Sequence, residues 1–390
     1  MKILFTTESY YPIIDGGAIA QHRIVHELIK RGHDVRVIAP NTQLRNTKEQ
    51  DNGSVIYRSR GMLLPFYMNN KYHFPPFPLP FVQNVIKEFQ PDIINVCSPY
   101  PNSLSALTIA KKFNIPVVGS IHILPENILA PWLHSAYYSL IKKYTWRFLI
   151  WFYNKVDWAT VPTKTGGDLY KEQGLTTNVT PISNGVDTSM FHPKNKGAYL
   201  KEQFHLPDKP IVLYTGRINQ EKNLDVLISA IPEVITACDA HFLFVGSGGY
   251  KDSIIQQTQD LSVAEHTTFI DFLPWEDYPN IYSVADVFIM PAEAELQSIV
   301  TLEAIASGLP AVVVNKGAVP ELVTNNNGYT FEPGNNQQLA QHLITILNDK
   351  TVQKTMKINS INLAQSHAMD QVGLHYEQVY QKVLEKGVNK

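Results

Sequence analysis

The sequence predicts an α/β fold made of two Rossmann-like domains in series. Three observations predict it: short apolar runs alternate with helical patterns, the runs are continuous in Val and Ile, and the pattern restarts near residue 211. Continuous apolar runs are typical of parallel strands that helices cover on both faces. With 390 residues, 44% of them hydrophobic, the chain is long enough to build two buried cores.

The strands and helices are predicted in chain order. In the first half the predicted strands are Ile3–Phe5, Val35–Ala39, Ile93–Val96, Val117–Ile121 and Ala159–Pro162. A helix is predicted over 18–31, where apolar residues form one stripe and Gly32 follows as a stop signal. In the second half the predicted strands are Ile211–Thr215, Phe242–Val245, Phe269–Asp271, Val287–Met290 and Ala311–Val314.

The domain boundaries follow from turn-forming residues. Asn and Pro residues between Asn184 and Pro210 mark the linker, so the first domain is predicted over 1–185 and the second over 186–368. A final helix over 369–390 is expected to pack back on the first domain.

Charge and cysteine content exclude several classes of protein. The net charge of −2 argues against a general nucleic-acid binder. Residues 1–185 carry 19 Lys/Arg against 12 Asp/Glu, a net of +7, whereas 186–390 carry 14 against 23, a net of −9. Two cysteines, Cys97 and Cys238, form no disulfide framework or thiolate metal site, which favours a cytoplasmic location. The apolar run near Met1 is too short for a signal peptide, and we find no run of about 18 apolar residues.

Two aromatic-rich segments interrupt the alternation. Residues 62–81 hold five Pro and six aromatic residues, a composition that predicts an exposed or binding loop rather than a regular helix. Residues 137–153 hold eight aromatic residues in a helical pattern with basic residues between them. This helix is either a core helix with a solvated basic edge or a helix that lies in a membrane interface. In the second case the membrane or acceptor surface contains Lys142, Lys143, Trp146, Arg147 and Trp151.

Glycine-containing turns are candidates for phosphate contacts. Asp15-Gly16-Gly17 follows the first strand and precedes the first helix, where backbone amides bind anions. Gly246-Ser247-Gly248 follows a strand of the second domain. Neither turn matches the Gly-x-Gly-x-x-Gly fingerprint of dinucleotide-binding domains.

Charged residues of the second domain form two further candidate groups. Arg217 and Lys222 come just after the predicted strand Ile211–Thr215, at the sheet edge where open α/β domains bind ligands. A guanidinium fork and a mobile ammonium together suit a diphosphate. Glu295 and Glu303 are spaced so that both carboxylates reach one pocket if Glu295 lies on a loop before a helix beginning at Glu303. Carboxylates accept hydrogen bonds from vicinal hydroxyls.

Taken together, these motifs resemble the retaining glycosyltransferases of family 4. The matching strings are Ser183-Asn184-Gly185-Val186-Asp187 with Phe191 and Pro193, Gly216-Arg217 with Lys222, Ala285-Asp286-Val287-Phe288, Glu295 with Glu303, Gly308-Leu309-Pro310, Gly16-Gly17, and Gly32-His33-Asp34-Val35. They occur in the order typical of the family. Leu296-Gln297-Ser298 departs from the usual aromatic-Gly pair, which leaves the sugar open.

The resemblance implies a GT-B fold, with two Rossmann-like domains facing across a cleft that holds the active site. It assigns Arg217 and Lys222 to the donor diphosphate, Glu303 to the ribose and Glu295 to the transferred sugar. Gly16, Gly17, Gly246, Ser298, Ile299 and Val300 are assigned to donor binding, and His122 lies near the reacting sugar. The chain contains no Asp-x-Asp and no evident His/Cys cluster, so no metal or other cofactor is expected.

The resulting hypothesis is a metal-independent, retaining hexosyltransferase at the inner face of the plasma membrane. Its donor would be a UDP-sugar, with UDP-glucose as the leading candidate. Its acceptor would be a glycerolipid such as diacylglycerol or a glycosyl-diacylglycerol on an anionic membrane. The alternatives are a GDP-mannose-dependent enzyme acting on a phospholipid or polysaccharide, a UDP-sugar epimerase, and a non-catalytic protein that binds a nucleotide-sugar.

Overall fold

The computed structural model describes residues 1–11, 13, 15–63, 73–129 and 137–388. The chain divides into two compact units. Unit 1 consists of Met1–Gly185 with Met369–Lys390, and unit 2 is Val186–Ala368. Each unit is an α/β body with its own parallel sheet, as the apolar runs predict.

Unit 1 is built on an eight-stranded sheet. Its strands and the short ribbon are β1 (Lys2–Thr6), β2 (Asp34–Pro40), β3 (Thr47–Asp51), β4 (Ser54–Ser59), β5 (Met62–Leu63), β6 (His73–Phe74), β7 (Ile93–Val96), β8 (Val117–Ser120), β9 (Trp158–Val161) and β10 (Val179–Pro181). Its first six helices are α1 (Gly16–Lys30), α2 (Leu79–Phe89), α3 (Pro101–Phe113), α4 (Pro125–Leu129), α5 (Tyr138–Tyr153) and α6 (Lys164–Glu172).

The strand order of unit 1 is β10-β9-β8-β7-β1-β2-β4-β3. The pairs are parallel except β3 with β4, which form an antiparallel hairpin. Asn52 and Gly53 connect this hairpin with φ of 44° and 93°, the backbone that tight hairpin turns need. Chain order reverses between β1 and β7, so the carboxyl ends of these two strands form the ligand-binding edge.

Unit 2 is a six-stranded parallel sheet of order β13-β12-β11-β14-β15-β16. The strands are β11 (Ile211–Thr215), β12 (His241–Val245), β13 (Thr267–Ile270), β14 (Val287–Met290), β15 (Ala311–Val314) and β16 (Gly328–Phe331). The helices are α7 (Ala198–Gln203), α8 (Leu224–Cys238), α9 (Lys251–Asp260), α10 (Tyr278–Ile281), α11 (Ile299–Ala306), α12 (Asn336–Asn348) and α13 (Lys350–Gln365). The order reverses between β11 and β14, which places the binding edge there.

The last helix, α14 (Met369–Val388), belongs to unit 1. Its residues Val372, Tyr376 and Val379 are buried in the unit 1 core together with strand residues of β1 and β2. The hydroxyl of Tyr380 donates to Asn95 Oδ1 of β7 at 3.1 Å. The final twenty or so residues therefore complete the first core rather than the second.

The segment 62–81 differs from the predicted loop. It contains the two-stranded β5–β6 ribbon, and α2 begins inside it at Leu79. Pro80 fits the first turn of α2 because the amides there have no intrahelical partner. The prediction of no regular helix is wrong at this end, and residues 64–72 lie outside the described residues.

No helix among the described residues combines the length and the apolar character that a transmembrane helix requires.

Candidate functional site

In unit 2, glycines bring the loops after β11 and β12 together. The amide of Ile218 donates to Ser247 O, and the amide of Tyr250 donates to Ile218 O. A Cβ on Gly246 would lie 1.9 Å from Gly216 O, and one on Gly248 would lie 2.2 Å from Ile218 O. Gly246 has a φ of 141°, and its amide donates to Ile270 O. Gly246 therefore allows the two loops to pack closely. Its N–H donates to the protein backbone and is not free to bind a nucleotide-sugar.

Lys222 ends a short 3₁₀ turn, Gln220–Lys222, in the connection between β11 and α8. The residue is buried, and its Nζ lies 2.5 Å from Glu295 Oε1. Two residues that the sequence assigns to neighbouring parts of a donor are thus brought into direct contact. A buried ammonium beside a carboxylate forms a strong charge-assisted hydrogen bond.

Arg217 has a different environment. Its side chain is 42% exposed, and its guanidinium lies 3.5 Å from Glu221 Oε1. The hydroxyl of Tyr214 donates to Arg217 O at 2.7 Å and so holds the loop that carries the side chain. The guanidinium is therefore accessible at the carboxyl edge of β11, where an anionic ligand can reach it.

The helix α11 begins at Ile299, four residues before the predicted start at Glu303. Ser298 is its N-cap, with Oγ accepting from the amide of Thr301 at 3.3 Å and from its hydroxyl at 2.8 Å. Helix geometry gives the amides of Ile299 and Val300 no partner one turn earlier. These amides and the helix dipole make this end of α11 suited to an anion.

Glu303 lies inside α11 and is 1% exposed. Its Oε2 accepts a hydrogen bond from Tyr282 at 2.8 Å, and Tyr282 in turn contacts Thr215 and Tyr278 at 3.1 Å. Burial, together with Glu303, raises the pKa of Tyr282 well above its usual value, so the phenol stays a neutral donor. Sequence reasoning missed Tyr282, because nothing in the sequence near Glu303 indicates this partner.

In unit 1, the Asp15-Gly16-Gly17 turn opens α1 as predicted. Asp15 caps the helix, with Oδ1 accepting from the amide of Ala18 at 2.8 Å, and Ser9 donates to its other oxygen. A Cβ on Gly17 would lie 3.3 Å from that Oδ1. Glycine at this position thus leaves room for the cap itself, and the role of Gly16 and Gly17 in donor binding stays a prediction.

His122 follows β8 and lies beside Asn184. Burial lowers the pKa of His122 to about 4, although its hydrogen bond with Asn184 and the nearby Asp15 act the other way. Among the described residues, Nε2 is buried and has no hydrogen-bond partner. The imidazole is therefore neutral near pH 7, so it would contact a sugar as a hydrogen-bonding group rather than as a cation.

Glu8 is a buried acid that sequence reasoning missed. It follows β1, and its carboxylate accepts from Ser98 Oγ and from the amide of Asn102 in the first turn of α3, both at 2.8 Å. Burial raises the pKa of Glu8 to about 7, against these hydrogen bonds. The carboxylate thus caps α3 at the edge where chain order reverses.

A cluster of His22, His26 and Asp51 was also missed. The ligand-type atoms of the three side chains all lie within 4.8 Å of one another. The expectation that no His cluster exists is therefore wrong for unit 1. The signal in the sequence is the spacing His22-x-x-x-His26, which places both rings on one face of a helix.

The helix α5 is exposed along one aromatic face. Its exposed apolar residues are Leu140, Ile141, Tyr144, Phe148 and Trp151. At 100° per residue they fall within an arc of about 100°. The rings of Phe148 and Trp151 stack with centroids 5.8 Å apart, and Lys155 lies over Trp151. This finding differs from the core-helix interpretation, which buries these two rings.

Two residues assigned to that surface have other roles. Trp146 is 8% exposed and packs edge-on against Tyr170, so it belongs to the core and the prediction is wrong for it. Lys142 forms a 2.6 Å ion pair with Glu126 of α4. Lys143 and Arg147 are exposed and remain candidates for a basic edge beside the aromatic face.

Two family descriptions match the chain. Glycosyltransferase Family 4 matches residues 14–190, and Glycosyl transferases group 1 matches residues 196–363. Together they cover most of both units.

Three relatives illustrate the similarity in sequence. The chain is 28% identical to the sulfoquinovosyl transferase of Arabidopsis thaliana over 89% of the chain and 66% of that protein. It is 25% identical to the alpha-monoglucosyldiacylglycerol synthase of Streptococcus pneumoniae over 83% of the chain and 74% of that protein. It is 24% identical to a GDP-mannose-dependent alpha-mannosyltransferase of Corynebacterium glutamicum over 85% and 77%. The chain thus spans about two thirds to three quarters of these relatives.

Solved structures share the fold over nearly the whole chain. The sucrose-phosphate synthase of Thermosynechococcus elongatus superposes with a TM-score of 0.82 at 19% identity, covering 99% of this chain and 100% of that one. HepE of Anabaena, in complex with UDP, gives 0.78 at 20% identity, with 98% and 100% covered. The fold is that of the GT-B glycosyltransferases, and the chain belongs to glycosyltransferase family 4, the group 1 glycosyl transferases.

Proposed function

We propose that this protein transfers a hexose from a UDP-sugar to a membrane glycerolipid such as diacylglycerol or a glycosyl-diacylglycerol. Glucose is the leading candidate for the hexose. The transfer retains the anomeric configuration and needs no metal ion. Binding of a nucleotide-sugar is supported by one observation. Arg217, Lys222 and Glu295 lie together at the carboxyl edge of β11 and β14.

The chemistry explains why cations are needed at this edge. Breaking the glycosyl–phosphate bond leaves negative charge on the departing diphosphate, and fixed positive groups lower the barrier by stabilising it. Arg217 supplies an accessible fork and Lys222 a buried ammonium. The chain has no Asp-x-Asp to hold a divalent ion for this task. We assign the task to these two side chains and to the amides that open α11.

The proposed reaction also needs contacts to the transferred sugar and a destination for the proton of the acceptor hydroxyl. Glu295 would accept hydrogen bonds from sugar hydroxyls, Glu303 from the ribose, and neutral His122 would contact the sugar. With retention, the acceptor hydroxyl attacks the anomeric carbon on the face that the phosphate leaves. Its proton passes to the departing phosphate oxygen, so charge and atoms balance without a carboxylate nucleophile.

The exposed face of α5 supports the lipid acceptor and a peripheral position on the inner face of the plasma membrane. Five large apolar side chains lie exposed on one side of this helix, with Lys143 and Arg147 beside them, in a domain of net charge +7. Tyr and Trp are favoured in membrane interfaces, and anionic lipid attracts basic side chains by about 1 kcal/mol each. Two of the relatives reported above are, by name, a sulfoquinovosyl transferase and a glucosyldiacylglycerol synthase.

Turnover tests the proposal directly. The purified protein is incubated with radiolabelled UDP-glucose, UDP-galactose or GDP-mannose and with vesicles containing diacylglycerol and anionic phospholipid. We expect a glucosylated lipid whose anomeric proton coupling shows the α configuration of the donor, formed equally with and without excess chelator. A double variant, Arg217→Ala/Lys222→Ala, is the matched control and should form none.

Each other outcome selects a different function. Turnover with GDP-mannose alone would favour the mannosyltransferase alternative. The similarity to the Corynebacterium enzyme supports that alternative. Binding of a nucleotide-sugar with no turnover on any lipid or saccharide would favour a non-catalytic protein. Loss of activity on chelation, restored by magnesium or manganese, would contradict metal independence.

A further inference from the structure

The cluster of His22, His26 and Asp51 lies at the edge of unit 1. Both imidazoles come from α1, one helical turn apart, and Asp51 is the last residue of β3. His22 Nε2 lies 3.1 Å from Asp51 Oδ2, and His26 Nε2 lies 3.3 Å from the same oxygen. The two rings have centroids 4.1 Å apart. Three potential ligand atoms therefore converge on one point from two elements.

These separations match those of a metal site. Zinc binds imidazole nitrogen at about 2.0–2.1 Å and carboxylate oxygen at about 2.0–2.2 Å, so ligand atoms of a tetrahedral site lie about 3.3–3.6 Å apart. Both nitrogen–oxygen distances are close to that range. The side chains are 33%, 24% and 17% exposed, so a small ion can enter and water can supply a fourth ligand. Neutral imidazole with a carboxylate is a donor set suited to zinc, cobalt and nickel.

We propose that His22, His26 and Asp51 bind one divalent first-row transition metal of the zinc class. The ion joins α1 to the β3–β4 hairpin, whose outer strand β3 forms the edge of the sheet. Its role is to hold this edge in place, because it ties α1 to the last residue of the edge strand β3.

Metal binding is measured on tag-free protein that has been stripped with chelator and dialysed. Co²⁺ is the probe, since its visible absorption reports a tetrahedral site, and Zn²⁺ then competes for it. We expect one equivalent to bind and the melting temperature to rise with Co²⁺ or Zn²⁺. His22→Ala and His26→Ala should each weaken binding at least tenfold, and Asp51→Asn, which keeps the shape of the side chain, should also weaken it.

An exposed histidine elsewhere in unit 1 provides the matched control. His375 lies exposed on α14, and His375→Ala should bind Co²⁺ like the wild type. Circular dichroism and the metal-free melting temperature show whether each variant folds, and His22→Gln replaces His22→Ala if the latter does not.

Three results would overturn the site. These are no Co²⁺ binding by the wild type at millimolar metal, equal binding by the His22 and His26 variants, or an equal loss in His375→Ala. Because the readout is binding and melting rather than glycosyl transfer, its failure is separate from that of the proposed function.

Discussion

Lys222 and Glu295 are 73 residues apart in the chain, and their Nζ and Oε1 atoms lie 2.5 Å apart. The ammonium of a predicted diphosphate contact is therefore held by the carboxylate of a predicted sugar contact. Each side chain orients the other, so a change in either one affects both the charge of the site and its geometry.

We expect Lys222→Met to lower turnover more than a hundredfold and to destabilise unit 2. The first effect corresponds to about 3 kcal/mol of lost transition-state stabilisation. The second, on the order of 1–3 kcal/mol, arises because Glu295 is left as a poorly solvated carboxylate. Adding Glu295→Gln should restore the stability but not the turnover. Stability and turnover are read by urea unfolding and initial rates. Full activity in Lys222→Met would contradict the assignment.

Arg217→Ala should give a similar loss of turnover with almost no loss of stability. The guanidinium is 42% exposed and its ion pair with Glu221 is long, so removing it costs less than about 0.5 kcal/mol of folding free energy. Arg217→Lys should recover part of the rate, because charge returns without the fork. Lys209→Ala removes a partly exposed cation just before β11, paired with Asp239 at 2.7 Å, and serves as the control. An equal loss of rate in that control would rule out a specific role for Arg217.

Glu303→Gln should weaken binding of UDP, because an amide accepts the ribose hydroxyls less well than a carboxylate. Since Glu303 is buried against Tyr282, Glu303→Ala should also lose stability, by about 2–4 kcal/mol. Tyr282→Phe separates the two effects, since it removes the donor to Glu303 and leaves the carboxylate. Isothermal titration with UDP and urea unfolding measure them, and unchanged UDP affinity in Glu303→Gln would refute the ribose role.

The exposed face of α5 should bind anionic vesicles, and the double variant Phe148→Ala/Trp151→Ala should remain in the supernatant after co-sedimentation. Lys143→Glu/Arg147→Glu should act likewise, and salt should weaken binding by the wild type. Lys142 is left unchanged in this test because of its ion pair with Glu126.

Two exposed aromatic residues of unit 2, Phe272 and Trp275, supply the control for the membrane test. The variant Phe272→Ala/Trp275→Ala should pellet like the wild type. If the wild type stays in solution, the membrane surface is not on α5. The same conclusion follows if Phe148→Ala/Trp151→Ala pellets as well as Phe272→Ala/Trp275→Ala.

Glu8 should make stability depend on pH. Burial raises its pKa in the folded state to about 7 from an ordinary value of 4.5, so the folded protein keeps this proton to higher pH than the unfolded chain. Relative to Glu8→Gln, the wild type is therefore most stable below pH 4.5 and loses about 3 kcal/mol as the pH rises to about 7 and above. Urea unfolding from pH 4.5 to 8 measures the difference. A difference between wild type and Glu8→Gln that stays flat over this range would contradict the shift.

The alternating α/β fold could be predicted from the sequence, because strand and helix patterns are local. Ile93–Val96, Ile211–Thr215 and Val287–Met290 are strands as predicted, and Asp15 and Gly16 open α1. The family motifs are also local strings, so they could be recognised without coordinates. The β3–β4 hairpin was missed although its Asn52-Gly53 turn is visible in the sequence.

Which side chains meet and which are buried depends on the packing of distant parts of the chain. The Lys222–Glu295 pair joins two different strand-to-helix connections, and Glu303 of α11 contacts Tyr282, which lies before β14. Asp51 reaches the two histidines of α1 only because the hairpin folds against that helix. In α5 the periodicity shows two apolar faces, and packing against the rest of unit 1 buries the one with Trp146. Periodicity records the angle of a residue around its helix, whereas burial depends on what lies opposite that angle, which distant parts of the chain supply.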